Sequence, residues 1–230
     1  VDPEQPFCLV VSLVNPHDLL AFPRVWRDDY APADLEGEVD LPASYDEDLA
    51  TNHKPVAHSQ LKQVLDRAVG PIDGREDALR YVNFYANLTA RIDSQIAPII
   101  DCFYDGEGRP TALGEETLVV RFSDHGELGM AHGGLRQKAF NVYEESLRVP
   151  LILSPPELAD GGRSCPHPAS LVDLLPTVAN LLGIEPLERQ AGVDLSPLVR
   201  DPGGPPVRDE VLFTFDDIIK LTPKARTALF

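Results

Sequence analysis

The chain has 230 residues, of which 43% are apolar and 25% are charged, a composition typical of a globular protein. Its 37 acidic and 20 basic residues leave a formal net charge of -17, which disfavours binding to nucleic acid or to an anionic membrane surface. The three cysteines are too scattered for a disulfide framework or a zinc site, and no run of about 18 apolar residues predicts a transmembrane helix.

The first predicted element is a buried strand from Phe7 to Val14, a short apolar run with β-branched members. Pro16 cannot continue a sheet ladder, so we expect the chain to turn there and to place His17 at the strand's carboxyl end. Val1 is not a start methionine and no signal-peptide pattern is visible, so we expect a piece of a longer protein. The cellular compartment therefore stays open.

Residues 22–57 show no sustained hydrophobic period and are rich in Pro, Asp, Glu and Tyr. We interpret them as a long ordered loop that lines or covers a cleft on the substrate side and shapes specificity. A disordered linker is the competing interpretation, but Trp26, Tyr30 and Tyr45 provide side chains that can pack.

The middle of the chain alternates between helix and strand patterns. A long helix is predicted over residues 75–104, because apolar residues recur there at three- and four-residue steps. Strands are predicted over residues 117–122 and 149–153, two short apolar runs. This order predicts one incomplete α/β domain with a mixed, mostly parallel sheet and helices on both faces.

Towards the end of the chain, Ser170 opens another helix as a capping box with Asp173, and Gly183 ends it. A second small capped unit is predicted over residues 192–199, and a last strand over residues 211–215. We expect residues 201–230 to begin a C-terminal subdomain or its linker.

Asp124 and His125 are the strongest candidates for chemistry, because they directly follow the strand at residues 117–122. In open α/β sheets, ligands bind at the carboxyl ends of strands. A carboxylate and an imidazole on adjacent residues can both reach one metal ion where the chain turns at Gly126. Two ligands are too few for a metal site, so others must come from elsewhere. The alternative is that Asp124 caps the loop and His125 is an ordinary polar residue.

Three further side chains are candidates for contact with an anionic substrate. Lys138 follows a glycine-rich loop, where a lysine can bind sulfate or phosphate as a point charge, although an exposed surface lysine is the ordinary alternative. His17 can protonate a leaving group or bind an anionic oxygen, and otherwise is a loop histidine held by local bonds. His132 is a weaker candidate for the same pocket. A chain of this net charge needs such a positive pocket to bind an anion.

Eight segments of the chain form an ordered set: residues 123–127, 132–133, Lys138, 143–146 and 148–152, and then 7–18, 85–96 and 172–178. The first five together resemble the C-terminal half of the catalytic domain of the sulfatase family, part of the alkaline phosphatase superfamily. The other three resemble the family's Pro-His strand end, its long helix and a helix near the end of the domain. The resemblance covers most of residues 7–200 and rests on the ordered set rather than on any one piece.

The resemblance implies an alkaline-phosphatase-like fold and hydrolysis of a sulfate ester, with a sulfated small molecule or glycan as the substrate. It implies that Asp124 and His125 are two ligands of one divalent cation. It also implies that Lys138 and His17 contact the sulfate group and its leaving-group oxygen. Ca²⁺ is the first expectation for the metal. His125 leaves Mn²⁺ or another transition metal open, because calcium prefers oxygen ligands.

Two departures from the family pattern bear on these implications. The family nucleophile lies in a Cys- or Ser-x-Pro-x-Arg motif whose first residue is oxidised to formylglycine, and this sequence has no such motif. Ser164 begins a similar run, but Pro168 stands where arginine is required. The family's first paired aspartates are also absent.

We therefore expect formylglycine on the part of the protein upstream of Val1, and no activity from this chain alone. The alternatives are a phosphonate or phosphodiester hydrolase of the same superfamily, or a non-catalytic fragment.

Overall fold

A computed structural model describes residues 5–24, 30–51, 53–158, 162–185 and 189–214. The chain divides into two compact units. Residues up to 96 and residues 128–137 belong to the first unit, whereas residues 97–127 and 138 onwards belong to the second, as far as the description extends. None of the described helices has the length and hydrophobicity that a crossing of a lipid bilayer requires. The three cysteines are free and exposed.

The first unit contains α1 (Val56–Val69) and α2 (Gly74–Ile100) up to residue 96. The predicted long helix is thus confirmed, and its apolar face buries Tyr81, Phe84 and Leu88. These side chains form one core with residues from the preceding loop, including Leu19 and Phe22. Helix α1 has no counterpart among the predicted elements. Only His58 and Leu61 are buried along it, a stripe too thin to give a clear period.

The predicted strand from Phe7 to Val14 is wrong, because these residues have no regular secondary structure. Their side chains are largely exposed, with Leu9 at 70% and Val10 at 80%. An apolar run makes a strand only where a neighbouring strand satisfies its backbone groups. No such neighbour is present in the described part of the chain.

The predicted loop over residues 22–57 contains no strand in its described part. Two short 3-10 helices, His17–Ala21 and Pro32–Leu35, lie before and within it, and α1 begins at its end. Tyr30 and Tyr45 pack against the core, as the sequence predicts, whereas Trp26 lies outside the described residues. An irregular turn, α3 (Ala131–Gly134), completes the first unit.

In the second unit, β1 (Val119–Phe122) pairs with β2 (Leu151–Ser154). Both predicted strands are confirmed, but their ladder is antiparallel, with Val119 opposite Ser154. The connection, residues 123–150, is long enough for a parallel crossover, but its helices, α3 and α4 (Glu144–Leu147), have only four residues each and are too short to span the sheet. This antiparallel pair is the sheet that the described residues form.

The rest of the second unit contains α5 (Leu174–Leu181) and α6 (Ser196–Arg200). The capping role of Asp173 is confirmed, since its carboxylate accepts a hydrogen bond from the Ser170 backbone N–H at 2.8 Å. Gly183 has φ of +66° just past α5, the left-handed conformation expected at a helix end. The predicted strand over residues 211–215 is wrong for residues 211–214, which have no regular structure, and Phe215 lies outside the described part.

Candidate active site

The Asp124–His125 turn lies in the second unit, directly after β1. The Asp124 carboxylate accepts a hydrogen bond from the His125 backbone N–H at 2.9 Å. The His125 Nδ1 atom lies 3.0 Å from the Gly126 carbonyl oxygen. Because a carbonyl oxygen only accepts, this contact favours the tautomer with hydrogen on Nδ1. The Nε2 lone pair then remains for a ligand, the arrangement usual for metal-binding histidines.

The two side chains lie close enough together to bind one cation. His125 Nε2 and Asp124 Oδ2 are 3.4 Å apart, and the side chains are 40% and 81% exposed, respectively. A separation of this size arises when two metal–ligand bonds of about 2.2 Å meet at roughly 100°. Among the described residues, no cluster of three or more His, Cys, Asp or Glu side chains forms a metal site. The pair therefore fits half of a divalent-cation site.

Gly126 fixes this turn against α4. Its backbone N–H donates to the Ser146 carbonyl at 2.9 Å. A Cβ atom at this position would lie 1.9 Å from the Glu145 carbonyl oxygen, so only glycine permits the approach. The Ser146 hydroxyl oxygen is buried and has no hydrogen-bond partner within the described residues. The candidate ligands therefore stand on a turn whose backbone position is set by close packing.

The loop that leads to Lys138 is unusual in its backbone conformation. Four of the five non-glycine residues with positive φ in the described chain lie between positions 130 and 140. Each left-handed residue with a side chain costs about 1–2 kcal/mol, and such residues cluster at functional sites. Lys138 itself is half-buried rather than exposed. The four residues and their φ angles are Met130 at 69°, His132 at 51°, Gln137 at 70° and Phe140 at 57°.

His132 belongs to the first unit and is tied to the loop over residues 22–57. Its Nδ1 lies 3.3 Å from Glu47 Oε2, and Lys54 Nζ lies 3.2 Å from the other Glu47 carboxylate oxygen. The His132 backbone N–H donates to the Ser44 hydroxyl at 3.0 Å. Sequence reasoning missed Glu47, because it precedes His132 by 85 residues and no local pattern joins them.

His17 also belongs to the first unit, where it begins the 3-10 helix His17–Ala21. Its side chain is exposed, and no hydrogen bond or ion pair of its imidazole is found in the described part of the chain. The structure thus brings Asp124 and His125 together in the second unit, which also contains Lys138, whereas His17 and His132 are placed in the first unit.

A sequence model of the sulfatase family matches residues 1–184, four fifths of the chain. The chain belongs to the sulfatase family. It is 26% identical over 207 residues to the Delta 4,5-hexuronate-2-O-sulfatase of Bacteroides thetaiotaomicron. That alignment covers 86% of this chain and 40% of the relative, so the chain spans less than half of the relative's length.

Solved structures show the fold of this chain. A 2-O GAG sulfatase structure matches with a TM-score of 0.61 and 23% identity, over 85% of this chain and 41% of that one. The phosphonate monoester hydrolase of Agrobacterium radiobacter matches with a TM-score of 0.56 and 22% identity, over 85% and 39%. The fold is thus alkaline-phosphatase-like, mixed in helix and strand, and incomplete, as the sequence predicts.

Proposed function

We propose that the protein containing this chain is a sulfatase, which hydrolyses a sulfate ester with the help of one divalent cation. The family match over residues 1–184 carries the proposal. The spacing and tautomer of the Asp124–His125 pair support it, because they suit two ligands of one cation. The named relative acts on a hexuronate 2-O-sulfate, which agrees with a sulfated glycan or sulfated small molecule as the substrate class.

In this proposal Asp124 and His125 hold the cation. Ca²⁺ is the first choice, and the imidazole nitrogen favours Mn²⁺ or another transition metal as the alternative. When bound, the cation polarises the sulfate ester and helps to hold the nucleophile. The nucleophile is a formylglycine on the part of the protein upstream of Val1.

The remaining candidates act on the substrate. Lys138 binds the sulfate oxygens, and its partial burial strengthens a charge–charge contact relative to one in water. His17 gives a proton to the leaving-group oxygen as the sulfur–oxygen bond breaks. His132, held by Glu47, is a weaker substrate contact. The loop over residues 22–57 supplies both Glu47 and Ser44 to this contact, which fits a role in specificity.

The test is hydrolysis of an aryl sulfate by the whole protein, produced together with a formylglycine-generating enzyme. We expect Asp124→Ala to abolish turnover and Lys138→Ala to lower kcat by about 100- to 1,000-fold, the usual effect of removing one charge-stabilising group. Asp101→Ala, which removes an exposed carboxylate just beyond α2, is the matched control and should leave turnover unchanged. Full activity of Asp124→Ala would contradict the metal-ligand role.

Phosphonate monoester hydrolysis is the second candidate, because the Agrobacterium radiobacter enzyme shares the fold. Relative rates on an aryl sulfate and a phenyl phosphonate ester separate the two functions. If the protein hydrolyses the phosphonate ester and not the sulfate ester, its activity is phosphonate monoester hydrolysis. If it hydrolyses neither, a non-catalytic role remains.

A further inference from the structure

Three side chains around the His17 turn form one hydrogen-bond network. The Tyr30 hydroxyl donates to Asp18 Oδ2 at 2.5 Å and accepts from the Asn15 side-chain amide at 3.1 Å. Asn15 Oδ1 in turn accepts from the Asp18 backbone N–H at 3.2 Å. Since His17 lies between Asn15 and Asp18 in the sequence, a single hydroxyl group fixes the chain on both sides of it.

Tyr30 is anchored to the core of the first unit. Its ring packs edge-on against Phe84 of α2 with 5.0 Å between ring centres, and Phe84 is fully buried. The guanidinium of Arg91, also on α2, lies 5.0 Å from the centre of the Tyr30 ring and forms an ion pair with Asp34. Tyr30 therefore connects a rigid helix to the turn that presents His17.

If the Tyr30 hydroxyl had only a structural role, it would serve to donate a hydrogen bond to the Asp18 carboxylate. The location of His17 indicates more, because its imidazole is exposed and makes no hydrogen bond or ion pair in the described residues. Pro16, the residue before the 3-10 helix, makes no capping hydrogen bond with its side chain. The network thus holds in place a histidine whose side chain contributes no polar contact of its own to the described fold.

We propose that Tyr30 is a positioning residue for His17. Its hydroxyl, acting through Asn15 and Asp18, holds the turn so that the imidazole reaches the leaving-group oxygen of the substrate. This inference rests on the proposed function of His17. A misplacement of about 1 Å in a catalytic group typically lowers the rate about 100-fold, so loss of the hydroxyl has a measurable consequence.

The experiment uses Tyr30→Phe in the whole protein, because this change keeps the ring and removes only the hydroxyl. Rates are measured with aryl sulfates whose leaving groups range from a nitrophenol to an unactivated phenol. We expect kcat for the phenol ester to fall about 100-fold with KM unchanged, and the nitrophenyl ester to be nearly unaffected, because a good leaving group needs no proton. His17→Ala should give the same pattern, and Tyr104→Phe, on a half-buried ring in the second unit, should give none.

The double variant decides whether the two residues act together. If Tyr30 acts only through His17, adding Tyr30→Phe to His17→Ala causes no further loss. A merely structural role would lower the rates of both esters equally, and that result would overturn the inference, as would wild-type kinetics in Tyr30→Phe. If His17→Ala itself shows no leaving-group dependence, or if the protein hydrolyses no ester, the proposed function fails and the role of Tyr30 falls with it.

Discussion

The replacement of Gly126 by alanine tests whether close packing sets the position of the candidate metal ligands. The new Cβ would lie 1.9 Å from the Glu145 carbonyl oxygen, about 1.5 Å inside the 3.4 Å at which ordinary contact begins. Because that oxygen belongs to the backbone, no side-chain rotation relieves the clash. The turn must move away from α4, which breaks the 2.9 Å hydrogen bond from Gly126 to Ser146. Overpacking of about 1–3 kcal/mol and a lost hydrogen bond of about 1 kcal/mol give a destabilisation of about 2–4 kcal/mol.

The assay pairs thermal unfolding of this chain with metal titration of the whole protein, because the chain supplies only two of the candidate ligands. For a chain of this size the melting temperature should fall by about 5–15 °C, and the affinity for Mn²⁺ or Ca²⁺ by about 10- to 100-fold, since displacement of a ligand's support has that effect. Gly106→Ala is the matched control in the same unit, because a Cβ there meets no atom within 4 Å. If Gly126→Ala melts like Gly106→Ala, the packing argument is wrong. If it melts lower but binds metal normally, the turn does not set the ligand geometry.

Three further predictions concern stability. Arg136→Met should cost about 3 kcal/mol in urea unfolding, because Arg136 is 3% exposed and its loss removes the hydrogen bonds to the Gly70 and Phe22 carbonyls and the ion pair with Asp66. Asp173→Asn should cost about 2–4 kcal/mol in the same assay, since the fully buried carboxylate is the partner of Arg208 and an amide would leave that cation unpaired. Burial of Tyr30, and to a smaller extent its hydrogen bond to Asp18, raises the pKa of the Tyr30 hydroxyl. The folded state therefore holds the hydroxyl proton more tightly than the unfolded state does. The stability that Tyr30 contributes should be complete below about pH 10 and lost as the pH rises through the folded pKa, and Tyr30→Phe should lack this alkaline component in urea midpoints measured across that range.

The elements that the sequence predicts well are those determined by local pattern. Helix α2 is long, and its apolar residues repeat along one face, so few other structures suit it. The capping box joins Ser170 and Asp173, which are three positions apart, so the local sequence is enough to predict it. The strand predicted at residues 7–14 is wrong for the opposite reason. A strand depends on a partner, and hydrophobic composition carries no information about whether a partner is present.

The candidate site also contains both kinds of contact, those between sequence neighbours and those between residues far apart in the chain. Asp124 and His125 are adjacent in sequence, so their proximity follows from the chain itself. The contact between His132 and Glu47 and the bond between Tyr30 and Asp18 join residues 85 and 12 positions apart, respectively. No period or motif connects such residues, and only the folded chain reveals them. Contacts that hold a candidate site residue from a distant part of the chain are therefore harder to predict than the candidate residue itself.

The left-handed residues between positions 130 and 140 give a physical reason to expect a rigid loop before Lys138. At about 1–2 kcal/mol each, the three that precede Lys138 use a large part of the 5–15 kcal/mol by which a typical domain is stable. The conformation persists only if other contacts hold it, and Arg136, within this loop, donates to the Gly70 carbonyl at 2.6 Å and to the Phe22 carbonyl at 3.2 Å. Lys62 donates to the Gly133 carbonyl at 3.1 Å. A loop with this many fixed points is ordered before any ligand binds, so ordering it adds no entropic cost to binding.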